Sequence, residues 1–166
     1  MRAGRLALPL LIALPACSPV RDYQEAARSL AFTLDRVEPR LQLAFPLDRS
    51  RLALEITLGV HNPSTVPFHI QSFQGELRLD SGSGAQVLGQ VGLAKAFDLP
   101  AGGDAQLAIT AEFAYRDLER CWPGVLAAVR GGAPGSWELE GSLGAAVHGI
   151  PVRLPVRTRQ AFGGGH

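Results

Sequence analysis

Four histidines, two cysteines and fifteen carboxylates are the side chains of this chain that could ligate a metal or move a proton. The histidines are His61, His69, His148 and His166. No two are spaced i, i+4 for one helix face, and none stands in a Cys/His zinc spacing. His61 and His69 flank one connection and could meet in space, but two polar loop histidines are the simpler expectation. The sequence holds no G-x-S-x-G elbow, no phosphate-binding glycine loop and no dinucleotide fingerprint. Glu55, Glu76, Glu112, Glu138 and Glu140 fall at solvent positions of alternating segments, where a solvated face is the ordinary outcome. These residues point to a non-enzymatic protein with no cofactor and no metal.

The most informative stretch is Gly59-Val60-His61-Asn62-Pro63-Ser64-Thr65-Val66-Pro67-Phe68. Asn62 is the only asparagine in the chain. A residue before proline is held extended, and an Asn side chain can satisfy neighbouring backbone groups. Asn62 and Pro63 are therefore read as a structural motif that fixes the exit from a strand. Proline in the middle position excludes a glycosylation acceptor.

The elements that must position these residues are strands. Leu52, Leu54, Ile56, Leu58 and Val60 share one face, with Ala53, Glu55, Thr57 and Gly59 on the other, the period of a half-buried strand. Alternation also predicts strands through Leu41-Leu43-Phe45, Phe68-Ile70, Phe73-Leu79, Val87-Leu93, Leu107-Tyr115, Trp137-Ala145 and Ile150-Val156. The parity switch near Gln71-Ser72 predicts a bulge or break. Pro151 and Pro155 place the last strand at an edge, and His148-Gly149 makes the tight turn before it. Leu118, Cys121, Trp122, Val125, Leu126 and Val129 recur at helical spacing. Asp117 is the candidate N-cap, Pro123 the favoured first position and Gly131-Gly132 the stop. About seven short strands with one helix indicate an all-β antiparallel sandwich. The expected core includes Leu54, Ile56, Leu58, Ile109, Phe113, Trp137 and Leu139.

With 166 residues, 46% hydrophobic and 19% charged, the chain can bury one core, and disorder is excluded. A net charge of +1 excludes a general nucleic-acid binder. Arg2 and Arg5 precede the apolar run Leu6–Leu14, which is shorter than the roughly 20 residues of a membrane span and suits a secretory signal. Leu14-Pro15-Ala16-Cys17-Ser18 resembles a bacterial lipoprotein signal. The resemblance implies cleavage before Cys17 and lipidation of that residue, giving a membrane partner through an N-terminal anchor. With Ser18 rather than Asp after the cysteine, it implies the outer membrane, facing the periplasm. The expected organisation is a signal peptide at 1–16, a tether (or equally a short helix) at 17–29, a sandwich domain at 30–160 and a disordered tail at 161–166. Cys121, left as the free thiol, is expected to be a buried structural cysteine; an intermolecular disulfide is the alternative.

Four segments in order carry a second resemblance. They are Asn62-Pro63 followed by Val66-Pro67-Phe68-His69-Ile70, then Phe97-Asp98-Leu99-Pro100-Ala101-Gly102-Gly103, then Trp137-Glu138-Leu139-Glu140-Gly141, then Ile150-Pro151-Val152-Arg153-Leu154-Pro155-Val156. Together they resemble the late-embryogenesis-abundant type 2 family, also called the water-stress and hypersensitive-response domain, over about Leu34 to Arg157. Ser64 departs from the family, which often repeats Asn there. The resemblance implies an immunoglobulin- or fibronectin-III-like sandwich and a link to desiccation. It carries over no catalytic residue. Three functions follow in order: a lipid-anchored stress protein working through binding contacts to a lipid or protein; an envelope-complex module that adds a partner strand at a sheet edge; and a periplasmic hydrolase.

Overall fold

The computed structural model describes residues 19–82, 84–93, 95–130 and 134–163. The signal peptide, Cys17, Gly131-Gly132 and His166 lie outside these described residues. Helix α1 (Pro19–Arg28) is followed by strands β1 (Ala31–Gln42), β2 (Arg51–His61), β3 (Phe68–Asp80), β4 (Ala85–Leu93), β5 (Phe97–Leu99) and β6 (Asp104–Ala114). Helices α2 (Tyr115–Leu118) and α3 (Trp122–Arg130) come next, then β7 (Gly135–Val147) and β8 (Ile150–Phe162).

All strand pairs are antiparallel. One sheet has the order β1-β2-β6; the other runs β4-β3-β7-β8, with β5 also pairing to β3. The protein is all-β. Apolar residues of both sheets join in one core, and the seven expected core residues are buried there, none more than 6% exposed. At one seam Gln160 Nε2 donates to the Asp35 carbonyl at 2.9 Å, joining β8 to β1. At the other, the Phe113 ring of β6 lies against Gly89 of β4. Among the described residues no helix is long and apolar enough to cross a membrane.

The expected register details hold where burial dictates them. The β3–β7 ladder shifts between Ile70 and Ser72, at the parity switch. The strand with Pro151 and Pro155 pairs with β7 alone and is an edge. His148 (φ 49°) and Gly149 (φ 81°) form the two-residue hairpin turn with both residues left-handed, which matches the strand twist.

Other expectations need correction. Of the two alternatives before residue 30, the helix forms at Pro19–Arg28, and its side chain Ala27 is buried. Leu43 and Phe45 are not in a strand: β1 begins earlier, and pairing ends at Gln42↔Arg51, so residues 43–50 must make the connection. A register shift between Leu34 and Arg36 hid the earlier part of β1 from a strict alternation. Asp117 does not cap a helix. The chain turns from β6 directly into α2 at Tyr115, whose N–H reaches the Ser50 carbonyl at 3.0 Å instead of a capping side chain. Helix α3 starts at Trp122, one residue before Pro123. The last strand continues through Phe162, past the expected boundary at 160.

Candidate functional site

Two regions gather polar side chains: the end of the molecule around Asn62, and the outer face of the larger sheet. At the first, the chain leaves β2 at His61 and enters Asn62-Pro63. Asn62 is fully buried. Its Nδ2 donates to the carbonyls of Val66 and Pro100, both at 2.9 Å. Its Oδ1 accepts from the Ser64 N–H at 3.1 Å and lies 2.7 Å from the Ser64 hydroxyl. The Asn62 N–H reaches the Gly103 carbonyl at 2.9 Å, and the Gly102 N–H reaches the Ser64 carbonyl at 3.0 Å. The amide thus uses both donors and both acceptor sites, its full capacity. This joins the β2–β3 connection to the β5–β6 connection, two links between the sheets. Ser64 takes part in this network through its hydroxyl, which also accepts from the Val66 N–H at 3.2 Å.

His61 and His69 stand close in sequence but have different partners. His61 Nδ1 lies 2.7 Å from Asp104 Oδ1, its register neighbour on β6. His69 Nδ1 lies 2.7 Å from Asp98 Oδ1, its register neighbour on β5. Both are exposed pairs, which contribute about 0–1 kcal/mol. His148 stacks on Tyr23 of α1, with ring centres 5.6 Å apart. His69, Asp98 and His148 line a cavity of about 360 Å³ together with Pro67, Pro100 and Ala146. Among the described residues no three His, Cys, Asp or Glu side chains cluster to hold a metal.

On the outer face of the larger sheet the glutamates interlock with arginines across strands. Arg78 pairs with Glu76 at 2.7 Å and Glu140 at 3.6 Å. Arg157 bonds Glu140, while Arg159 pairs with Glu138 at 3.5 Å and Asp80 at 3.7 Å. Glu138↔Arg159 and Glu140↔Arg157 are direct register partners. Strand alternation marks these glutamates as a solvated face but does not reveal their arginine partners. The signal was present, because a two-residue turn at His148-Gly149 forces those pairs opposite each other.

The Arg157 hydrogen bond and charge, with Arg78 behind them, hold the Glu140 carboxyl below its ordinary value of 4.5. A carboxylate with a lowered folded pKa stabilises above its unfolded pKa and loses that contribution as pH falls through the folded value. Glu140→Gln is therefore expected to lower stability slightly at pH 7 and to match the wild type in acid. Thermal melts of both proteins across the acid range check this; an equal difference at every pH would exclude the charge as its cause.

Cys121 is buried, with Sγ 3.3 Å from the Leu118 carbonyl. Burial pushes its thiol pKa up, so it is poorly nucleophilic at neutral pH, as expected of a structural cysteine.

A family model described as "Late embryogenesis abundant protein" matches residues 57–160. The solution structure of a protein from Arabidopsis thaliana is similar at 14% identity and TM-score 0.48, covering 78% of this chain and 78% of that one. The crystal structure of a protein from Archaeoglobus fulgidus is similar at 9% identity and TM-score 0.46, covering 78% and 95% respectively. No curated protein sequence matches the chain.

Proposed function

Since the chain belongs to the late embryogenesis abundant family, whose model spans more than half of it, we propose a non-enzymatic, lipid-anchored envelope protein of the type 2 branch that acts in the response to water loss. The family match is the observation that carries this reading. Two antiparallel sheets around one core support an immunoglobulin- or fibronectin-III-like sandwich. Leu14-Pro15-Ala16-Cys17 supports the anchor, and Ser18 supports the outer membrane with the domain facing the periplasm. Only Ser18 separates Cys17 from α1, so an acylated Cys17 holds the domain close to its membrane. Protection then comes from a specific folded surface, because a compact domain cannot act as a hydrated disordered shield.

The strand-addition reading finds less support. Of the four edge strands, β1 carries Pro39 and β8 carries Pro151 and Pro155, which withhold N–H groups that an added strand needs, while β4 and β6 carry no proline and are where strand addition would have to occur.

Deleting the gene is expected to lower survival after drying or hyperosmotic shock, and wild-type protein is expected to rescue it better than Cys17→Ser. Acyl labelling and membrane fractionation should be lost in the same variant. A mature N-terminus other than Cys17 overturns the anchor. Unchanged stress survival, with an envelope complex losing a subunit on deletion, overturns the stress role.

A further inference from the structure

Among the described residues four large apolar side chains are exposed: Leu43 (62%), Phe45 (93%), Leu47 (48%) and Val87 (50%). All four lie toward one end of the molecule. Leu43, Phe45 and Leu47 occupy the connection after β1, a 12-residue strand whose other end adjoins α1. Val87 is on β4 near the turn that follows Asp80, and α2 touches both β4 and the single 3-10 turn at Leu47–Arg49. The α1 and His148 end is thus roughly 35 Å away, the length of β1.

This apex is braced. Ser50 is fully buried, and its hydroxyl holds both the N–H and the carbonyl of Ala44, at 3.1 and 3.3 Å. The Arg49 N–H reaches the Pro46 carbonyl at 3.1 Å, and the Ser50 N–H reaches the Leu47 carbonyl at 2.9 Å. Pro46 has no N–H to satisfy. These bonds fix the loop that presents Phe45.

We propose that this apex inserts into a lipid surface. Two observations favour lipid over a protein groove. The apolar group is a convex tip, and a bilayer accepts a convex tip without a matching pocket. Behind the apolar residues stand arginines at headgroup depth: Arg51, shared with Glu112 at 3.5 Å, Arg116, beside Asp117 at 3.8 Å, and Arg49, which makes none of the ion pairs among the described residues. Phe45 and the two leucines then enter the acyl boundary, while Asp48 limits the depth. The inference does not rest on the anchor. In an anchored protein the apex faces away from α1 and meets a second lipid surface.

The test places a reporter at the apex of the full chain. Phe45→Trp is mixed with vesicles of phosphatidylcholine and phosphatidylglycerol, with plain or brominated acyl chains, and the emission of the buried Trp122 and Trp137 is subtracted using the parent protein. The emission of the introduced indole is expected to shift blue and to be quenched about twofold by the brominated chains. Adding Leu43→Asp should abolish both effects, and Arg49→Glu should weaken vesicle binding about tenfold. If the introduced indole stays water-like while the protein sediments with vesicles, the contact belongs to the N-terminal segment and the proposal fails. A blue shift that needs no vesicles and grows with protein concentration would identify a second copy as the occupant and equally overturn it.

Discussion

Asn62→Ala is expected to destabilise the fold by about 3–5 kcal/mol, because it empties a fully buried side-chain site and takes a hydrogen bond at once from three backbone groups. The Pro100 carbonyl loses its donor, the Val66 carbonyl keeps only the Ser64 hydroxyl at 3.2 Å, and the Ser64 N–H loses its acceptor. The loss is not local, because Val66 and Pro100 belong to different connections. Asn62→Asp keeps the shape but sets a carboxylate against two carbonyls in a buried site. Its cost should be at least that of alanine at neutral pH. That cost should shrink as the pH falls toward the carboxyl's own range, about 4 or above, where a proton restores one donor. Ser64→Ala removes a hydroxyl and leaves the amide in place, so about 1 kcal/mol is expected. Urea unfolding at constant slope measures all three. An Asn62→Ala loss no larger than that of Ser64→Ala would mean that the amide does not join the sheets.

A comparable loss, about 3 kcal/mol at the upper end of overpacking effects, is expected for Gly141→Ala. Gly141 faces Gly75 in the β3–β7 ladder, at the centre of the larger sheet. A Cβ at Gly141 would stand 2.3 Å from the Gln74 carbonyl oxygen and 2.5 Å from the Gly75 Cα. Both obstacles are backbone, so the two strands would have to move apart. At Gly75 a Cβ first meets the Phe73 ring at 2.7 Å, with the nearest backbone atom, the Glu140 carbonyl oxygen, at 3.0 Å. A ring can tilt where a ladder cannot, so Gly75→Ala should be the milder change. The reverse order in denaturant titrations would show that the ring, not the ladder, is the rigid partner.

What the sequence revealed depended on how local the deciding physics was. The core face of β2 was legible because alternation with a buried face fixes every side chain from Leu52 to Val60. The bulge at Gln71-Ser72 was legible for the same reason, since a parity switch cannot occur in an unbroken ladder. The amide of Asn62 was legible as a partner for nearby backbone. Its bond to Pro100, 38 residues away, was not, because only the fold brings that carbonyl there. The glutamates read as a solvated face, and their arginine partners required the hairpin register. Strand β5 has three residues and leaves no period to detect. The apolar apex was misread because Leu41, Leu43 and Phe45 alternate as a strand would, while Pro46 and the braced turn at Ser50 end the pairing at Gln42.

The prolines of the outer strands bear on behaviour at high concentration. When a solution dries, proteins are driven together, and an open strand edge becomes a template for irreversible fibril growth. Here Pro39 interrupts the donor row of β1, and Pro151 and Pro155 interrupt that of β8. At the other seam the Phe113 ring sits against Gly89 between β6 and β4. Replacing such prolines by β-branched residues could strengthen the individual strands while removing what keeps neighbouring molecules from zipping together. The edges left without such a proline are β4 and β6.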